Sequence, residues 1–470
     1  MIREKVPEDR LFYLSDELYR PSRRNFFVRL NEAVGDWKTL CAPLRSAFCQ
    51  DRNGRPVDPV VYFKIFLVGY LENIVFDTDL AERIADSHSI REFLGYGPCE
   101  PTPDHSSIGR VRAKFADCGS LVEVFDSVVA LCARQGLVGG EQTAVDSTLL
   151  PANASLSSLE CVKTKMSVRD HLKKAREAGA KPSVSNSEFR STSDPDARIA
   201  KKGTTCPRGM YHKATTVVDS KSQVILAAHV CTADVNDATA ALPALEHAQK
   251  VLESNSLKLS VVVADSGYDE CNFHAFVEDL GALPITNYKN TSSQKPEGFT
   301  KESFTYDAER DVYICPNGAV LTPGKPTEND TRYQSRPKDC AGCPLRAHCL
   351  GPKADKRSIS RHRNENARLR NIERCHTDEG RAALKNRKIV AEPPYAHMKC
   401  HGGLSRVSCT GTGNADVKAK MAGIAWNLLK LLKKLSMDLY GLLFWLDSNL
   451  KMALSRWTRP SRSLFCNVLQ

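Results

Sequence analysis

Two aspartates in this chain stand directly behind apolar runs. LKLSVVVADSGYDE, residues 257–270, is rich in β-branched residues and stops abruptly at Asp265, Ser266 and Gly267. TAVDSTLLPANAS, from Thr143, repeats the pattern with a short run to Val145 that delivers Asp146. Such a run reads as a strand buried on both faces, and the turn after it puts the acid at the carboxyl edge of a sheet, where open α/β folds keep their ligand sites. Two aspartates at two strand ends make a hard, oxygen-rich corner that suits Mg²⁺ or Mn²⁺ better than Zn²⁺. A second, softer set is Cys315, Cys340, Cys343 and Cys349, in ICPNG and CAGCPLRAHC. Thiolates at this spacing are candidate ligands of a tetrahedral Zn²⁺ that would staple a small lobe; the other reading is free thiols in a small apolar core. Soft ligands argue against a part in hard-metal catalysis.

The elements that must position these groups follow from pattern. Asp58 as N-cap and Pro59 at the first helical position predict a strongly apolar helix to Leu71, and a second helix is expected over 78–94, closed by Gly95. In PTPDHSSIGRVRAKF, Thr102 can cap and Pro103 can start a helix whose Ile108, Val111 and Phe115 share one face. Arg110, Arg112 and Lys114 point elsewhere, as a solvated basic face or as a helix-turn-helix-like DNA contact. A helix over 121–135 ends at Gly136. Residues 151–208 are rich in Ser, Lys and Arg, and part of them is expected to stay mobile until it meets a phosphate backbone.

A hairpin over 211–218 and 224–230 follows, turned by Asp219 to Ser222. Asn236 and Asp237 read as caps of a helix over 237–252. After the Asp265 strand come a helix over 272–280 and a strand over 283–286. Three strands, helix, strand, helix, strand, with acids after the first and fourth strands, is the ribonuclease H topology: α/β, a mixed sheet flanked by helices. The expected domains are a helical, DNA-binding 1–136, a catalytic domain of 137–288 and 366–455, a Cys-containing insertion over 289–365, and a tail over 456–470. Helix resumes in TDEGRAALKNRKIVAEPPYAHMK, which carries Glu392 among Arg387, Lys388, Tyr395 and Lys399. Pro393 and Pro394 predict a kink or a helix start there.

On these motifs the chain resembles the DDE transposases of bacterial insertion sequences, in the branch whose last motif runs Tyr, Arg, Glu, Lys. Glu392, Pro393, Tyr395 and Lys399 match the last motif; Asp146 with Thr148 and residues 152–155 match the first; Asp265, Gly267 and Tyr268 match the second. The helical region from Asp58 to Phe115 is similar to that branch's N-terminal domain. The chain departs from the pattern at Lys385, in the tyrosine's place, at Lys388 or its neighbour Arg387, in the arginine's, and at Ala396, where glycine is common. The resemblance implies Asp146 as bridge between two Mg²⁺ or Mn²⁺ ions, Asp265 and Glu392 each holding one, and Arg387, Lys388 and Lys399 on DNA phosphates. It further implies double-stranded DNA as partner, at element ends and target, with a homodimer on paired ends.

Composition agrees with a globular polyanion binder. Of 470 residues, 41% are hydrophobic and 26% charged, which is ordinary for a globular chain. Lys and Arg exceed Asp and Glu by 66 to 55, a formal charge of +11, which favours a nucleic-acid partner. MIREKVPEDR carries charges where a signal peptide needs apolar residues, and the apolar run over 421–446 is interrupted by Lys430, Lys433, Lys434 and Asp438. Both features predict a cytoplasmic protein without a membrane span. The 17 cysteines, odd in number and mostly scattered, fit a reducing compartment. The expected function is binding of terminal repeats, metal-dependent strand cleavage and joining of the freed 3′-OH. The alternatives are an inactive DNA-binding derivative and a nuclease that cuts without joining. A dehalogenase-like phosphatase would want an acid at Thr148.

Overall fold

The computed structural model describes residues 22–48, 58–97, 100–117, 119–179, 183–203, 206–288, 298–401, 403–405 and 409–457. The expectations for MIREKVPEDR and for the tail beyond 457 lie outside the described residues. Two units emerge: the first takes residues 1–138, 400–403 and 421–470, the second 139–399 and 404–420.

Every regular element described in the first unit is a helix: Phe26–Val34, Trp37–Leu40, Ala42–Phe48, Pro59–Leu71, Asp77–Asp86, His88–Leu94, His105–Asp117, Leu121–Arg134 and the later part of Thr412–Trp457. Asp58 caps as expected, accepting the Val60 N–H at 2.9 Å. Phe63, Ile65, Leu67 and Val68 are fully buried, so this helix is the unit's centre and not an amphipathic cover. The single helix expected over 78–94 is two. Ser87 adopts an extended backbone (φ −103°, ψ 108°) and its Oγ accepts the Ile90 N–H at 3.4 Å, so a local side-chain cap interrupts an otherwise helical pattern. The next helix starts at His105, because Asp104 and not Thr102 is its cap: the Asp104 carboxylate accepts Ser107 N–H and Ser106 Oγ–H, both at 2.7 Å. These bonds hold the Asp104 carboxyl down at about 2. Ile108, Val111 and Phe115 face inward. No described helix is long and apolar enough to cross a membrane.

The second unit is built on β1 (Thr143–Pro151), β2 (Leu159–Cys161), β3 (Phe189–Ser191), β4 (Arg198–Lys202), β5 (Cys206–Asp219), β6 (Ile225–Thr232), β7 (Val261–Ala264) and β8 (Leu283–Thr286). The main sheet runs β4-β5-β1-β7-β8, with β6 also on β5. β5 is antiparallel to β1 and β6, whereas β1, β7 and β8 are mutually parallel. This α/β sheet has the strand order and directions of the ribonuclease H topology. Helices Asp237–Ser254 and Cys271–Asp279 make the parallel crossovers. Both hairpin strands run longer than expected, and β5 begins at Cys206, because its first residues pair with β4. The 151–208 stretch carries β2, β3, β4 and a helix, Val168–Glu177, around a small core of Leu159, Phe189 and Met210.

The far edge of the sheet is closed by a side chain. Asn371 donates to the Thr286 carbonyl at 2.9 Å and accepts its N–H at 2.8 Å, imitating a further strand on β8. Asn371 belongs to helix Glu365–Cys375, which the sequence pattern did not reveal. It runs into helix Asp378–Cys400 through a turn so close that a methyl at Gly380 would stand 2.0 Å from the Arg374 carbonyl oxygen. The 378–400 helix does not start at Glu392: it passes through Pro393 and Pro394. Pro393 cannot donate to the Ile389 carbonyl, and the Gln223 side chain from the β5–β6 turn does so instead, at 2.8 Å.

The inserted segment is a meander of β9 (Thr305–Asp307), β10 (Val312–Ile314), β11 (Val320–Pro323), β12 (Asp330–Gln334) and β13 (Ser358–His362). Its core is Phe304, Tyr313, Leu321, Tyr333 and Ile359. Two short helices, Pro337–Ala341 and Arg346–Cys349, lie between β12 and β13.

Candidate active site

Asp146 lies midway along β1, and Asp265 immediately follows β7. The parallel register sets Thr143 beside Val262 and Ala144 beside Val263. The same offset carried on puts Asp146 level with Asp265, on strands about 4.8 Å apart. Asp265 turns the chain: its Oδ1 accepts the Gly267 N–H at 2.8 Å. A methyl at Gly267 would lie 2.9 Å from that same Oδ1 and 3.4 Å from Asp237 Oδ2, so the turn leaves no room for a side chain.

Burial holds the Asp146 carboxyl above the ordinary carboxylate range. The Ser147 N–H, Arg387 and Lys202 draw it back, and Asp265 pushes it further up. Lys202 reaches the site from β4, donating to the Ser147 carbonyl at 2.9 Å. Arg387 Nη1 is 3.8 Å from Asp146 Oδ2, buried and without a hydrogen-bond acceptor.

The 378–400 helix crosses this corner with a buried face of Val390, Ala391, Pro394, Tyr395 and Met398. The Tyr395 hydroxyl sits between the carbonyls of Asp146 (2.9 Å) and Ala214 (3.1 Å), and burial raises its pKa well above the phenol value. Lys399 donates to Thr148 Oγ1 at 2.5 Å. Lys388 is exposed. Glu392 is exposed too, on the flank of the helix, about 20° around the axis from Lys399 and two turns before it. The fold thus brings Asp146, Asp265, Arg387 and Lys399 to one corner, while Glu392 stays in solvent. Among the described residues no group of three His, Cys, Asp or Glu side chains stands close enough to hold a metal ion.

Several groups here were not read from the sequence as site residues. Asp237, taken only as a helix cap beside Asn236, projects its carboxylate toward the Asp265 turn and is bound by Lys213 of β5 at 2.6 Å. Asn236 is the cap, accepting the Thr239 N–H at 2.7 Å. The Ser147 hydroxyl bonds Thr215 and Tyr268, each at 2.7 Å, fixing the back of the corner. An acid directly after an N-cap was the available signal for Asp237, and it is a weak one.

In the first unit, Arg110 and Lys114 are exposed on the 105–117 helix. Arg112 is ion-paired to Asp77 at 2.5 Å and stacked 4.5 Å over Phe66, which makes it part of the packing. The four cysteines line one small cavity in the inserted lobe.

Comparison with known families gives two matches, one before and one after the main sheet in the sequence. Residues 16–114 match the family described as Transposase domain (DUF772), and residues 314–432 match Transposase DDE domain. These two matches, before and after the aspartate-bearing sheet in the sequence, support a DDE transposase of the insertion-sequence type. The piggyBac transposase synaptic complex with hairpin DNA, solved by cryo-EM, is similar at a TM-score of 0.37 and 10% identity, over 88% of this chain and 77% of that one. That likeness is too distant to carry an argument. No curated protein matches.

Proposed function

We propose that the chain binds the ends of its own element, hydrolyses a phosphodiester at each end, and joins the freed 3′-OH to target DNA at the corner between β1 and β7. The observation that carries this reading is Asp146 on β1 beside Asp265 just past the end of the neighbouring parallel strand β7, with the Asp146 carboxyl resisting its own ionisation. A carboxylate buried beside a second acid, with its nearest cation at 3.8 Å, is a donor set short of positive charge, and Mg²⁺ or Mn²⁺ suits it. Asp146 and Asp265 would hold the ions from the sheet, and Glu392 from the helix once its side chain turns in from solvent. Bound divalent ions would supply an activated water and charge neutralisation at the phosphorus.

The protein's own groups complete the site. Arg387 Nη1 has a proton to give and no acceptor, which suits a phosphate oxygen. Lys399 and Lys388 stand along the same helix as further phosphate contacts. Tyr395 and Ser147 hold the β1 backbone in place. The last-motif branch with tyrosine, arginine, glutamate and lysine is part of this proposal, as are a homodimer on paired ends and the division into a DNA-binding 1–136, a catalytic body and an insertion.

The rival is a derivative that binds DNA without cutting, and the exposed position of Glu392 favours it. A supercoiled plasmid carrying the element's ends, incubated with Mn²⁺, separates the two. The wild type is expected to nick at the ends, and Asp146→Asn to lower nicking at least about a hundredfold, since even outer-shell losses at metal sites cost 10–100-fold. End binding by that variant is expected to remain. Binding without nicking by the wild type would favour the rival. Nicking without joining of precleaved ends would favour a nuclease.

A further inference from the structure

The inserted lobe has a feature that DNA cleavage does not use. Cys315, Cys340, Cys343 and Cys349 come from three separate pieces of the lobe: the end of β10, the 337–341 helix with the turn after it, and the 346–349 helix. All four line a cavity of about 20 Å³, large enough for one water-sized sphere. Cys349 is pushed up by burial and further by Cys340, Cys315 and Cys343, while Arg357 draws it down, so the four thiols feel one another.

Hydrogen-bond donors and guanidiniums stand around the thiols. The Ala319 N–H points at Cys315 Sγ at 3.2 Å, across a turn that Gly318 closes with φ 82°. Arg346 donates to the Cys340 carbonyl at 3.2 Å, and Arg357 to the Cys349 carbonyl at 2.9 Å. Two guanidiniums therefore border the cavity and offset negative charge there, against one carboxylate, Asp339. Among the described residues the lobe's own cluster holds five buried side chains, with Cys315 and Cys349 packed against them. A core so small gains from a staple.

We propose that these four cysteines hold one structural Zn²⁺, with the cavity as the place the ion takes. The four thiols share one cavity without standing as a ready ligand group, and Cys340 Sγ, now 3.1 Å from Ser335 Oγ, would leave that partner to take the ion. Binding would release the thiol protons and fix the two short helices to the β10–β11 turn. This inference is independent of the cleavage chemistry.

The test is the metal content of the full chain purified under reducing conditions without added metal. We expect one zinc per chain, lost in Cys340→Ser/Cys343→Ser and kept in Cys375→Ser, whose thiol faces the Thr286 carbonyl of the main sheet. Should the double variant fail to fold, the wild type exchanged into Co²⁺ gives a second readout: intense visible bands of a tetrahedral thiolate site. Zinc-free wild type with four freely reactive thiols, a disulfide among the four, or zinc retained by the folded double variant would each overturn the proposal.

Discussion

Asp146 is a carboxylate held against its own charge. Its carboxyl ionises near 3.8 in an unfolded chain and above that in the native state, chiefly through burial. Between those values the native protein holds more protons than the unfolded chain, so this group lowers stability as pH climbs through the window, and by a constant amount above it. Asp146→Asn removes that cost. The variant is expected to melt higher than the wild type at neutral pH in the presence of a chelator, with the margin closing as pH falls toward 3.8. A margin independent of pH would mean that the carboxylate is not strained by its surroundings. Asp265 was legible because a strand that ends in an acid is a local pattern; Asp146 was found by the same pattern although its strand runs on to Pro151, since Ser147 to Leu150 did not read as strand. Asp237 and Lys213 were not, since their meeting depends on how β5 and the 237–254 helix lie across the β7 turn, which no short window records.

The element that decides the site is the 378–400 helix, and here local rules misled. Two consecutive prolines read as a helix end, yet Arg387 before them and Tyr395 and Lys399 after them are all engaged on β1, which holds the helix on both sides of the interruption. The Ile389 carbonyl that Pro393 leaves open is taken by Gln223. Gln223→Ala is expected to cost about 1 kcal/mol in urea unfolding, the worth of one hydrogen bond. In a Pro393→Ala background, where the backbone N–H returns, the same change is expected to cost nothing; equal losses in both backgrounds would refute the substitution of side chain for backbone. Elsewhere the strand order was legible from β-branched runs and turn residues, and β8 was read to the residue. The break at Ser87 and the cap at Asp104 were missed, because a serine or aspartate inside a helical pattern competes for backbone N–H groups in a way that periodicity does not register.

For the molecule as a whole, a charge of +11 says that DNA affinity should fall steeply with salt, by close to one power of the salt concentration for each phosphate neutralised. The helical first unit offers a discriminating pair. Arg110→Ala, at an exposed position, is expected to reduce the log–log slope by about one without changing the melting temperature. Arg112→Ala, which loses the Asp77 ion pair and the Phe66 stack, is expected to lower the melting temperature and leave the slope in place. The reverse result would put Arg112 on the DNA.

The central claim is that Asp146, Asp265 and Glu392 share hard cations. Anomalous scattering from Mn²⁺ in crystals of the wild type tests it most directly. The account predicts density between Asp146 and Asp265, with the Glu392 side chain turned in from the helix to touch an ion. Manganese absent from that corner, or bound there while Glu392 stays in solvent, would contradict it.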